Sequence, residues 1–219
     1  MSRIQWASKT KSSLLAAPII LLLTFMQANA DTLTQITQTL DIPDFSGGSF
    51  QQTRTLEGFK HPLKSTGRYF YWNDQGLYWE TSTPFFRAST FSPAQIISWS
   101  APGTISATEK PSLVQREINK VLTALLSGNI EALEKVFSVE ASITNNTPLT
   151  WETQLTPKSP TTKKVIAALS LSGDRALRSL TIQSANGDTT LIQFDGIISQ
   201  AQPNTSQCAL FHPNNTTDR

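Results

Sequence analysis

Residues 47–86 read GGSFQQTRTLEGFKHPLKSTGRYFYWNDQGLYWETSTPFF. The stretch holds all three tyrosines of the chain, together with Trp72 and Trp79. Its large side chains alternate with period two, the spacing of a β-strand. In the first segment Phe50, Gln52, Arg54 and Leu56 share one face, and Ser49, Gln51, Thr53 and Thr55 the other. Gly58 to Lys64, with Pro62, is a turn. Thr66 to Trp72 is a second strand, in which Arg68, Phe70 and Trp72 alternate with Tyr69 and Tyr71. Asn73-Asp74-Gln75-Gly76 has the residues of a tight hairpin turn. Leu77 to Thr81 is the third strand, with Leu77 and Trp79 opposite Tyr78 and Glu80. Large side chains fall on both faces, so both need cover. No residue here is arranged for covalent chemistry, and the pattern points to a binding fold.

Working outward, Asp31 to Leu40 places Leu33, Ile36, Thr37 and Leu40 on one helical face. Asp41-Ile42-Pro43 ends that helix, because the residue before proline leaves the α region. After the aromatic stretch the meander continues through Phe85–Phe91, Ala94–Ser100 and a short Thr104–Ala107 strand. The period then changes. Leu113, Ile118, Val121, Leu122, Leu125 and Leu126 form a helical stripe. Gly128 stops the helix, and Asn129 caps a second one whose Ile130, Leu133, Val136 and Phe137 cluster on one side. A helical pair between β runs either covers the mouth of a barrel or forms a plain packing layer on the sheet. Strands resume after Val139 as Leu149–Leu155, Val165–Ser172, Leu177–Ser184 and Thr189–Phe194. Ile197-Ile198 and Cys208–Phe211 are expected as short edges, and Asn214–Arg219 as a frayed tail. The fold class is mainly β with helices (α+β), one antiparallel sheet or barrel of about eleven strands.

The first thirty residues read as an export signal. Arg3, Lys9 and Lys11 are its positive region, Leu14 to Met26 its apolar run, and Ala28-Asn29-Ala30 its small-x-small cleavage site. Cleavage after Ala30 leaves residues 31–219 as the mature domain; a periplasmic, monomeric protein is expected. Losing those three basic residues takes the formal net charge from +2 to −1. That removes the electrostatic ground for nucleic-acid binding. No cysteine stands at the cleavage site after the apolar run, so no lipid-modified N-terminus is expected. Cys208 is the single cysteine, so neither a disulfide nor a cysteine-based metal site is possible, and burial is expected to protect it.

The two histidines, His61 and His212, lack the companions and spacing of a metal site. Serines are many, but no G-x-S-x-G elbow supports a triad. Glu57 and Glu80 read as surface carboxylates rather than a catalytic pair, and Lys163-Lys164 as a solvated turn. No cofactor, metal or enzymatic activity is expected. An esterase or glycan hydrolase has only scattered side chains in its favour. What remains is apolar surface. A curved sheet lined by Phe, Trp, Leu and Ile suits an acyl chain, since each buried methylene contributes about 0.8 kcal/mol.

In order along the chain, Phe50-Gln51-Gln52, Gly67-Arg68-Tyr69-Phe70-Tyr71-Trp72, Leu77-Tyr78-Trp79 before Pro84, the helices of 112–138 and Leu155-Thr156-Pro157-Lys158 resemble the periplasmic outer-membrane lipoprotein carrier (LolA) family. The resemblance covers most of residues 31–219. It implies an unclosed β-barrel with a helical lid over a hydrophobic cavity. The implied function is to take acylated lipoprotein or lipid cargo from an inner-membrane ABC-type release complex and hand it to an outer-membrane receptor. The candidate cavity lining is Phe50, Phe70, Trp72, Leu77, Trp79, Ile97, Trp99, Leu122 and Leu125, although alternation defines two faces without saying which is inside. One departure is visible. In the family a Lys-Arg-Pro step sits between the two aromatic strands, and its arginine helps hold the lid closed. Here the place is Asn73–Gly76, so no residue is carried over; Arg54 and Arg68 are the arginines that would have to compensate. The departure opens one alternative, a carrier of another acylated lipid or glycolipid precursor; the same sequence features also fit a non-catalytic envelope assembly module whose sheet docks a partner protein.

Overall fold

The computed structural model describes residues 32–213 apart from 94, 111, 112 and 128. The export signal and the Asn214–Arg219 tail lie outside the described residues. A short helix, α1 (residues 32–39), buries Leu33 and Ile36. A meander of six strands follows: β1 (Phe45–Thr55), β2 (Leu63–Trp72), β3 (Gly76–Thr83), β4 (Arg87–Phe91), β5 (Ile96–Ala101) and β6 (Thr104–Glu109). Helices α2 (Leu113–Leu126) and α3 (Ile130–Val136) come next. The second meander is β7 (Phe137–Asn146), β8 (Leu149–Pro157), β9 (Ile166–Gly173), β10 (Leu177–Ser184) and β11 (Thr189–Gln200), with a one-turn α4 (Pro160–Lys163) between β8 and β9. Helix α5 (Thr205–Phe211) follows.

All eleven strands form one antiparallel sheet, ordered β6-β5-β4-β3-β2-β1-β11-β10-β9-β8-β7. The two meanders are joined edge to edge by β1 and β11, in register from Phe45–Gln200 to Thr55–Thr189 with a bulge between Gly47 and Ser49. The first and last strands in space, β6 and β7, remain unpaired with each other, so the barrel is unclosed. The connection between those two edges is the α2–α3 pair.

Local chemistry accounts for the turns. Between β2 and β3, Asp74 takes φ 60° and Gly76 φ 119°, and the Gln75 amide donates to the Trp72 carbonyl at 3.1 Å. Both positive φ values sit where the hairpin must reverse, so residues tolerant of the left-handed region are required. Gly67 serves a different purpose. A Cβ there would lie 2.7 Å from Phe50 Cζ and would also strike the Glu80 carbonyl. Its absence lets the Phe50 ring lie across the strand.

The core has two parts, one on each side of the sheet. On the concave side Phe50, Tyr69, Tyr71 and Leu77 pack with Trp151, Leu155 and Leu180 under Ile36 of α1, Val121 and Leu122 of α2, and Leu133 of α3. On the outer side Phe45, Tyr78, Ile97 and Trp99 pack against Phe211 of α5. The C-terminal segment corrects the expected edge strand at Cys208–Phe211: it is helical. Asn204 and Gln207 form a reciprocal capping box, with Asn204 Oδ1 accepting from the Gln207 amide at 2.9 Å and Gln207 Oε1 from the Asn204 amide at 2.8 Å. This satisfies two otherwise orphaned donors. An apolar face of a helix covers the aromatic outer surface where a strand would have needed an edge. The expected Ile197-Ile198 edge is the continuation of β11. Cys208 is half-buried in α5, its thiol 3.9 Å from the Pro203 carbonyl.

Candidate ligand-binding site

Strand register sorts the candidate lining residues onto two faces. Phe50 opposes Gly67 and Phe194, Tyr69 opposes Trp79, and Tyr71 opposes Leu77. These side chains face the concave side. Phe50 and Trp79 stack at 4.0 Å between ring centroids, and the edge of Phe194 meets Tyr69 at 5.3 Å and Trp79 at 6.2 Å. Burial pushes the Tyr69 phenol up to about 12. Tyr69 is therefore a neutral wall at any physiological pH.

Phe70 and Trp72 have the opposite parity, as do Ile97 and Trp99 on β5, and all four pack in the outer cluster. Trp72 meets the Phe211 ring edge-on at 5.6 Å. Trp99 Nε1 donates to Thr90 Oγ1 at 3.1 Å, and that hydroxyl donates to the Leu210 carbonyl at 2.8 Å. Leu122 reaches the concave side from α2; the Leu125 side chain lies outside the described residues. Of the nine candidates, the concave side thus gathers Phe50, Leu77, Trp79 and Leu122.

Between these residues and β10–β11 lies a cavity of about 400 Å³. Leu77, Trp79, Phe91, Leu122, Ile182 and Ile192 make its apolar wall. Gln52, Arg54, Ser184 and Thr190 line it toward the end of the barrel where β1 and β10 finish. A second recess of about 560 Å³ lies between α2–α3 and the β2–β3 and β4–β5 turns. Phe91 and Asn119 border both spaces. Among the described residues Asn119 Oδ1 is buried without a hydrogen-bond partner. Unsatisfied buried acceptors are rare, and this one lies at the border of the two spaces. Sequence alternation could have found Phe91 and Ile192, which pair into the same face as Leu77 and Phe50. Asn119 carried no such signal, because it sits on the polar side of its helical stripe.

The two arginines separate. Arg54 Nη2 pairs with Asp188 Oδ2 at 2.9 Å, and the Glu57 amide donates to Asp188 Oδ1 at 3.1 Å. The Glu57 amide and then Arg54 hold the Asp188 carboxyl below its ordinary range. Arg54 therefore belongs to the cavity rim. Arg68 lies on the outer face, where it donates to Glu80 Oε2 from Nε at 3.0 Å and from Nη2 at 2.7 Å. No group of three or more His, Cys, Asp or Glu able to hold a metal occurs among the described residues. No helix among them is long and apolar enough to cross a membrane.

An unclosed antiparallel barrel, with helices across an apolar concave face and a cavity beneath them, defines the class of protein. The family described as outer membrane lipoprotein carrier protein LolA-like matches residues 9–212, and the chain belongs to it. At the level of the family it is a LolA-like carrier protein. No curated protein matches the chain. Among solved structures it is similar to MucB, at 13% identity and TM-score 0.46 over 83% of this chain. The chain spans 62% of that MucB chain. MucB of Pseudomonas aeruginosa is also solved in complex with MucA, at 13% identity and TM-score 0.45, covering 82% of this chain and 60% of that one. A LolA superfamily protein from Nitrosomonas europaea is similar at 10% identity and TM-score 0.45, over 80% of this chain and 94% of that one.

Proposed function

We propose that the protein is a periplasmic carrier that shields the acyl chains of lipoproteins and moves them from the inner to the outer membrane. The observation that supports it most is the apolar cavity of about 400 Å³ under α2 in a chain of the LolA-like carrier family. Its volume falls within the range of small-molecule sites. Its wall holds two aromatic rings, Trp79 and Phe91, amid aliphatic side chains, with polar groups restricted to the rim and to Asn119. Leu122 enters from a helix that is not part of the sheet, so the cavity can enlarge by moving α2 without breaking strand pairing. A carrier must release its load, and a movable wall suits that task better than a closed barrel. Residues 1–30 would export the chain, and residues 31–219 would act between an inner-membrane ABC-type release complex and an outer-membrane receptor.

The Asn73–Gly76 turn favours a second reading, a carrier of another acylated lipid or glycolipid precursor. The turn has no cation for the lid, and Asn119 offers an acceptor to a hydroxyl or amide of the ligand. The test is to purify the protein from the periplasm, extract it with organic solvent and analyse the extract by mass spectrometry, alongside titration with a fluorescent fatty acid. Co-purifying lipoprotein supports the first reading, and a lipid without lipoprotein the second. No bound lipid and no fatty-acid binding would contradict both.

A further inference from the structure

The β1–β2 hairpin tip and the β3–β4 turn expose large apolar side chains that the fold does not use. Phe59 is 68% exposed, Leu63 57% and Phe85 82%. Scattered exposed apolar residues are ordinary, but these project from one end of the barrel on adjoining hairpins. Thr66 Oγ1 and Thr83 Oγ1, 2.6 Å apart, tie β2 to β3 just below the tips. Leu63 opposes Arg54 in the β1–β2 register, and Arg54 lines the cavity. The apolar tips thus stand at the rim of the cavity.

The same end is basic. Lys60 and Lys64 flank Phe59 and Leu63, and Arg87 follows Phe85; all three are exposed. Lys163 and Lys164 belong to the same end, because β9 begins there, with Ile166 opposite Ser184. The acidic groups at these turns are Glu57 and Asp188, and Asp188 is already paired with Arg54. The turns at the opposite end carry Asp44, Asp74 and Asp174, together with Arg175 and with Arg178, which pairs with Asp174 at 3.0 Å. The molecule therefore has a basic, apolar-tipped end around its cavity mouth, and turns of mixed charge at the other end.

We infer that this end docks on a bilayer surface bearing anionic headgroups, with Phe59, Leu63 and Phe85 entering the interface and the cavity mouth facing the membrane. Aromatic and aliphatic tips bury in the headgroup–acyl boundary, and neighbouring lysines and arginine meet the negative surface. The inference goes beyond the carrier reading and does not need it, since docking requires only the rim.

Vesicle flotation tests it with the chain from Asp31 onward, which contains all the described structure. The vesicles are phosphatidylcholine alone, or phosphatidylcholine with one-third phosphatidylglycerol. The protein should float with the anionic vesicles and not with the neutral ones, and added salt should release it. Lys60→Gln with Lys64→Gln should weaken partition by about twenty-fivefold, about fivefold per charge removed. Phe59→Ser with Phe85→Ser should abolish flotation. All four side chains are exposed, so the thermal midpoint and fatty-acid binding of both variants should match the parent. A loss of flotation with acyl binding intact assigns the effect to docking and leaves the carrier reading untouched. Equal binding to neutral vesicles, no flotation by the parent, or variants that float like the parent would overturn the inference; in the second event the tips would belong to a protein partner.

Discussion

Glu80 accepts hydrogen bonds from Tyr78 Oη at 2.7 Å, Ser82 Oγ at 3.0 Å and the Arg68 guanidinium. Burial pulls its carboxyl up, but the bonds from Tyr78 and Arg68 outweigh that and hold it below the ordinary carboxylate range. A carboxyl lowered in the folded state adds stability that is fully present above the unfolded pKa, and that stability is lost as pH falls through the folded value. Glu80→Gln should therefore cost about 1–2 kcal/mol at neutral pH. The difference from the parent should shrink below about pH 4, as urea melts at several pH values would show. Asn119 makes the opposite test. Its buried Oδ1 has no hydrogen-bond partner among the described residues. Asn119→Leu should raise the unfolding free energy by about 1 kcal/mol, because it removes an unpaid desolvation penalty. A fall in stability would mean that the amide is already bonded. Neither Glu80 nor Asn119 differs in sequence pattern from a solvated polar residue, so their roles were not legible in the sequence.

Helix α5 shows what an element contributes beyond its own residues. It caps the outer aromatic cluster through Phe211 and Leu210 and is started by the Asn204–Gln207 box. Phe211→Ala should destabilise the fold by about 3 kcal/mol through the cavity it leaves beside Trp72. Asn204→Ala should cost about 1 kcal/mol. Chemical denaturation measures both, and a Phe211→Ala cost near zero would mean that the outer face is covered some other way. The hairpins from β1 to β3 were legible because turn residues and period two agreed. The α2–α3 pair was legible from its stripe and from Asn129, whose Oδ1 accepts from the Ala132 amide at 2.9 Å. The direction of the faces was not legible. Tyr69 and Tyr71 alternate with Phe70 and Trp72, so hydrophobicity could not say which pair meets the helices and which meets α5. That ambiguity scattered Phe70, Trp72, Ile97 and Trp99 to the far side of the sheet from Trp79. Cys208–Phe211 is a short apolar run and so reads as an edge strand; the helix signal is Asn204 after Pro203, with Gln207 three residues further on.

At the scale of the molecule, two antiparallel meanders meet along β1 and β11 and leave the barrel open where α2 and α3 cross in sequence from one edge to the other. The seam lies next to the cavity: Ile192 opposes Gln52 across it. Filling the space from the seam should separate binding from folding. Ile192→Trp should reduce fatty-acid affinity by tenfold or more while the circular-dichroism spectrum stays that of a β protein, since overpacking a partly open site costs about 1–3 kcal/mol at most. The central claim is that an acyl chain binds on the concave face, and the aromatic sheet itself can report it. Two single-tryptophan proteins differ only in which face reports: one keeps Trp79 on the cavity wall, the other Trp99 under α5, with the remaining tryptophans replaced by phenylalanine. Titration with a nitroxide-labelled fatty acid should quench Trp79 with saturation near one equivalent and leave Trp99 bright. Quenching of Trp99 with Trp79 unaffected, or of neither, would contradict the account.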